Sequence, residues 1–276
     1  MRICLAKTRS FVTRGPAFAA LRPALAALAL FCLPLCLMLC AGPAGAEDIT
    51  WPGNGTLRND PFLNPNALYP DALSDNTVTV NEGGAAPGIV YGGVTDGAGE
   101  VARNRVTING GVIGAAGFAG YVYGGLSTSG AVTGNSVSVR GGTIGADVLG
   151  LVYGGWSSLG AVTGNSVRIS GGTIGPAGSG VVYGGFSGSD AARGNSVSIS
   201  SGVIGAAGNG VVYGGLSTSG AATDNSVFIS GGVIGAAGAD SRVTGGASGS
   251  GDATHNTVTL SGSAMDVSRA GSESVG

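Results

Sequence analysis

Beyond residue 40 the sequence has no cysteine, beyond residue 7 it has no lysine, and His255 is its single histidine. A chain without thiols has no disulfide framework and no cysteine metal site. With no second histidine, lysine or cysteine after residue 46, it cannot assemble a catalytic triad or proton relay of the usual residue types. Charged residues are only 10% of the sequence. Residues 47–276 carry eight arginines against fifteen acids, a formal net charge of −7. That balance, with no basic run, excludes a typical nucleic-acid binder. What abounds is glycine, 53 of the 230 residues after residue 46. An interior glycine costs a helix about 1 kcal/mol, so a helical bundle is excluded. There is no strict glycine at every third residue, so collagen is excluded too. A hydrophobic content of 43% separates the chain from disordered glycine-rich linkers.

Only one long apolar run occurs, Ala24–Cys40. Before it lie Arg2, Lys7, Arg9, Arg14 and Arg22 and no acid, and after it Ala44-Gly45-Ala46 places small residues ahead of Glu47. This three-part order predicts a cleaved secretory signal peptide over residues 1–46. Seventeen residues interrupted by Pro34 are short for a membrane span. Lipid attachment at Cys40 is disfavoured by the bulky Leu39 before it.

The rest is a repeat. Asn76, Asn104, Asn135, Asn165, Asn195, Asn225 and Asn256 follow one another at intervals of 28, 31, 30, 30, 30 and 31 residues, each with a valine two positions on. A second series, Tyr91, Tyr123, Tyr153, Tyr183 and Tyr213, stands between a valine and a Gly-Gly pair. In Asn195–Ser200 (NSVSIS), Val197 and Ile199 alternate with serines, which is the period of a strand. Across copies the inner position stays aliphatic (Val80, Ile108, Val139, Ile169, Ile199, Ile229, Leu260), while the outer one varies among Thr107, Ser138, Arg168, Ser198 and Phe228.

One such unit cannot bury its own apolar face; stacked copies can. The pattern predicts an all-β parallel solenoid, read as a right-handed β-helix, of about seven ~30-residue repeats over residues 76–265. Residues 47–75 read as an N-terminal cap or leader, and 266–276 as a frayed tail. Gly-Gly and Gly-Asn are expected at corners needing positive φ. Asn104, Asn135, Asn165, Asn195, Asn225 and Asn256 are expected to form a structural amide ladder.

Candidate sites are few. The five tyrosines would make an outward aromatic stripe, either binding a sugar or protein partner or packing against one another. His255 at a repeat corner reads as structural or solvated. Asp190 and Asp224 occupy different repeat positions, so no carboxylate pair is expected. No aspartate recurs as calcium β-rolls require, and the changing outer column spoils an ice-binding row of threonines. No catalytic residue, metal or cofactor is therefore expected.

The units VYGGLSTSGAVTGNSVSVRGGTIG (Val122–Gly145) and VYGGWSSLGAVTGNSVRISGGTIG (Val152–Gly175) resemble glycine-rich repeats in passenger regions of bacterial autotransporter-like proteins. The resemblance covers roughly residues 76–265. It implies a right-handed β-helix exported through the Sec machinery and displayed at the cell surface by an outer-membrane translocator, often adhesive. It carries over no catalytic residue. The barrel strands of such a translocator are not found here, so the expectation is a passenger segment at the surface, outside the cell or in the periplasm. Expected partners are a surface glycan or protein and further copies of the chain. Two alternatives stay open: a secreted carbohydrate-active β-helix enzyme and a purely structural spacer.

Overall fold

The computed structural model describes residues 45–261, apart from 52, 54, 56, 59–66, 87, 115 and 116. Residues 1–44 of the expected signal peptide, residues 262–265 of the expected repeats and the whole expected tail, 266–276, lie outside the described residues. What is described contains strands and turns and no helix. The strands build a parallel β-solenoid of about seven turns, with three sheets running its length.

The first sheet carries the Asn-x-Val segments. Ser136–Val139 pairs in parallel with Ser166–Ile174, which pairs with Ser196–Ile204, and Val137, Val167 and Val197 lie over one another. The same register runs back to Thr77–Val80 and forward to Thr257–Leu260. The alternation read from the sequence is the alternation of burial: Val197 and Ile199 are buried, whereas Ser196 and Ser198 are half-buried on the outer side. The second sheet carries the VYGG segments, with Gly150–Ser157, Gly180–Ser187 and Gly210–Ser217 in unbroken register. Val152, Val182 and Val212 face the valine and isoleucine columns of the first sheet and complete one continuous core. Each fully buried aliphatic side chain contributes roughly 1.5–3 kcal/mol, and parallel rungs repeat about every 4.8 Å.

A third, six-stranded sheet was not foreseen. Its strands are two residues long, such as Val132–Thr133, Val162–Thr163 and Ala192–Arg193. They stack Val101, Val132 and Val162 into a small corner core. After this sheet each coil turns through one residue of positive φ just before the asparagine: Asp75, Arg103, Gly134, Gly164, Gly194, Asp224 and His255. A side chain in this left-handed region is strained, which is why glycine fills three of the positions.

The Gly-Gly pair after tyrosine has another cause. Gly154, Gly155, Gly184 and Gly185 are absent from the positive-φ positions. A Cβ on Gly155 would lie 2.6 Å from the Asn165 side chain, and one on Gly154 would meet the carbonyl of Gly184. These glycines let the second sheet pass close to the asparagine column. The expected corner role holds instead for Gly142, Gly172, Gly202 and Gly232, which bend the first sheet with φ of 80–101°.

The start of the rod also departs from the sequence reading. Asp48–Trp51, expected in a cap or leader, forms a rung of the first sheet, with Ile49 over Val78 and Trp51 over Val80. Glu47 takes the ladder position: its N–H donates to Asn76 Oδ1 (2.9 Å), and its Oε1 accepts the N–H groups of Asp71 (2.8 Å) and Ala72 (3.2 Å). Leu57–Arg58 pairs antiparallel with Ala67–Leu68 and closes that edge of the second sheet.

Candidate functional site

Two columns of polar or aromatic side chains stand out from the aliphatic core. The first is the asparagine ladder. Each asparagine from Asn76 to Asn225 donates from Nδ2 to the Oδ1 of the next, at 2.8–3.1 Å. The same Oδ1 accepts the backbone N–H of the preceding asparagine, as Asn195 Oδ1 does from Asn165 (3.0 Å). From Asn135 on, the other Nδ2 proton goes to a third-sheet carbonyl one coil back, such as Val162 O from Asn195 (2.9 Å). Asn104, Asn135, Asn165, Asn195 and Asn225 are buried, and Asn256, at the last described rung, is half-buried. Buried amides of this kind keep their place because every donor and acceptor is used.

The second column is the tyrosine stripe. The rings of Tyr91, Tyr123, Tyr153, Tyr183 and Tyr213 stack face to face, with successive centroids 5.2, 4.9, 4.9 and 5.3 Å apart and tilts of 7–15°. They point away from the aliphatic core, as the valines beside them imply. Their faces, however, are occupied by one another. Tyr91, Tyr123 and Tyr153 are only 1%, 8% and 9% exposed. Leu126, Leu151, Trp156 and Phe186 flank the rings and complete a second apolar cluster. At the far end the Arg242 guanidinium lies 5.5 Å over the Tyr213 ring. Of the two expectations for the stripe, ligand binding or mutual packing, the ring contacts are those of mutual packing, and among the five only Tyr183 and Tyr213 are half-buried.

Burial has an electrostatic consequence. Desolvation, followed by the neighbouring tyrosines, raises the Tyr153 hydroxyl well above its ordinary pKa. Desolvation and the Tyr213 neighbour push Tyr183 up from 10.0 to about 12. Below pH 10 both states of the chain hold these protons and stability is unaffected. As pH rises past 10 the unfolded chain ionises first, while folded Tyr183 keeps its proton to about 12, so stability drains away across that window. No lysine or cysteine after residue 46 titrates there to obscure the effect. Urea midpoints should fall steadily from pH 10 to 12, with tyrosinate absorbance of the folded protein lagging behind that of the unfolded chain. Superimposable titrations would contradict the buried ladder.

A serine column, missed in the sequence, staples the turns after the second sheet. Ser157 Oγ donates to Gly130 O (3.0 Å) and accepts from Gly160 N–H (2.9 Å), and Ser187 and Ser217 repeat the pattern. Its signal was the recurring Ser before each turn, hidden among many other serines.

The charged groups lie apart from these columns. Arg103 forks onto Asp75 at 2.7 Å and holds its carboxyl below the ordinary range. Arg193 bonds Asp224 at 3.2 Å, and exposed His255 stands 4.0 Å from the same carboxylate. Asp190 sits in a serine-stapled turn, accepting from Ser217 Oγ through its carbonyl, and does not meet Asp224 among these contacts. Among the described residues no group of three or more His, Cys, Asp or Glu could hold a metal ion. No helix of the described residues is long and apolar enough to cross a membrane. Comparison with known protein families, curated proteins and solved structures finds no match to the chain.

Proposed function

We propose that this chain is an exported, non-enzymatic β-solenoid of autotransporter-passenger type, serving as an adhesive rod or stalk at the cell surface or outside the cell. The observation that carries the reading is the uniformity of the rungs. From Asn104 to Asn225 every coil makes the same amide bonds to the next, and the tyrosine and valine columns keep one register throughout. Such repetition builds length and lateral surface rather than a single convergent pocket. The basic start, the apolar run and the small residues before Glu47 supply the export reading, and a thiol-free chain after residue 46 suits passage through an oxidising compartment. Sec machinery would carry the chain across the inner membrane and an outer-membrane translocator would display it.

Expression of the full chain in a bacterium with two membranes tests this. The exported protein should begin at Glu47 by N-terminal sequencing, and protease added to intact cells should remove it. An uncleaved chain retained in the cytoplasm would defeat the proposal.

A further inference from the structure

Eight arginines follow residue 46. Arg103 and Arg193 are bonded to aspartates, and Arg242 lies over Tyr213. Arg105, Arg140 and Arg168 are all exposed, and among the described residues none of them makes an ion pair. The sequence scatters these three: they stand one, five and three residues after their respective asparagines. The fold gathers them on successive rungs of the outer face of the first sheet. Arg105 lies beside Ser136, which pairs with Ser166; Arg168 lies between Ser138 and Ser198; Arg140 follows Val139 on the rung between. With rungs about 4.8 Å apart and residues about 3.3 Å apart, Arg140 and Arg168 are roughly 8 Å apart at the backbone, and Arg105 and Arg168 roughly 12 Å.

From the rung of Arg105 onward, the surroundings of the first sheet supply no acid to compensate that charge. The first-sheet segments 105–113, 136–144, 166–174, 196–204, 226–234 and 257–261 contain no aspartate or glutamate. Most other acids of the described residues lie off this sheet, and Asp48, two rungs before Arg105 in the same column, is an exception. Asp147 and Asp240 sit in the turn before the second sheet, and Asp96, Glu100, Asp190 and Asp252 in the turn after it. Asp75 and Asp224 occupy the positive-φ corner, and Asp48 and Glu82 belong to the two rungs before Arg105. Over residues 47–276, whose formal net charge is −7, one face is locally positive. Around the guanidinia run rows of half-buried hydroxyls, Ser136, Ser166, Ser196 and Ser226 in one column.

We infer that this face binds a linear anionic polysaccharide, one bearing carboxylates or sulfates. The guanidinium fork matches carboxylate and sulfate oxygens two at a time. The serine rows offer donors and acceptors to sugar hydroxyls at the period of the rungs. A flat sheet suits a polymer laid across it better than a compact ligand. Nucleic acid fits less well. Single strands are held by a basic groove interleaved with stacking platforms, and Phe228 is the one aromatic side chain among the segments named above. The inference deepens the adhesive reading and rests on it for its setting, naming the class of surface the rod would hold.

The test is equilibrium binding of the purified full chain to heparin, with neutral dextran and single-stranded DNA as comparison probes. Heparin should bind, and raising salt should weaken it by at least about tenfold, because exposed charges are screened. The triple variant Arg105→Ser, Arg140→Ser, Arg168→Ser should lose at least about tenfold in affinity. Serine is what other rungs hold in the same three columns (Ser136, Ser170 and Ser198), so the variant should keep the sheet signal in circular dichroism. Arg242→Val, on the second sheet, should bind heparin like the original chain. Equal binding by the triple variant, equal binding of dextran, or tighter binding of DNA than of heparin would each overturn the inference. Failure here leaves surface display standing, and failure of display leaves this measurement in solution standing.

Discussion

Asn195→Ala should destabilise the rod by on the order of 4 kcal/mol, among the largest effects any single substitution here can have. The change strands the Asn165 N–H, takes one acceptor from Asn165 Nδ2, and removes the 2.9 Å donor of Val162 O, while Asn225 Oδ1 keeps the N–H of residue 195. All of this happens in a buried column, with Asn165, Asn195 and Asn225 fully inaccessible, and each buried orphan costs about 1–3 kcal/mol. Asn256→Ala is the internal control. Asn256 is half-buried at the last described rung, so its loss should cost only about 1 kcal/mol. Denaturant midpoints at constant slope measure both. Equal shifts for the two variants would show that the ladder is decoration.

The second large effect concerns the tyrosines. Tyr153→Ser should cost about 3–4 kcal/mol, as truncation of a buried aromatic does. It removes a ring held between Tyr123 and Tyr183, each at 4.9 Å, with the Phe186 edge at 6.5 Å. Combining it with Tyr183→Ser should reveal a coupling of about 1 kcal/mol, the part of the energy that belongs to the stacked pair. A ligand platform would behave in the opposite way, losing binding while the unfolding midpoint stayed put. The two outcomes separate the two roles expected for the stripe on sequence grounds, packing and ligand binding.

The legible part of the fold was the part written in large, invariant side chains. Val137, Val167 and Val197 return at a fixed interval from an asparagine, and a column of identical residues has one simple physical solution. The third sheet was illegible because its strands are two residues long and its inner column fades from Val162 to Ala192, too little pattern for any period to show. The first rung escaped because Glu47 stands where asparagine does elsewhere and Trp51 stands where an aliphatic residue does. Tyrosine direction could be read from the sixth copy, Arg242-Val243-Thr244-Gly245-Gly246, where the valine is kept between two polar residues and the tyrosine is lost, but exposure could not. Whether an outward ring is covered depends on Leu151, Trp156 and Phe186, which come from neighbouring columns and differ from coil to coil. The arginine face was hidden for a related reason: Arg105, Arg140 and Arg168 are each alone in their repeat, and only stacking makes them neighbours.

The ladder has a consequence for how such a molecule can change. Asn135 offers Asn165 the same donors that Asn165 offers Asn195, so the two flanks of any coil fit each other. Loss of one 30-residue unit would bring those flanks together with every column still in phase, and duplication would insert a matching unit. The reach of the rod would then change in steps of about 4.8 Å. Length can therefore change by whole modules while the amide, valine and tyrosine columns of the remaining coils stay matched.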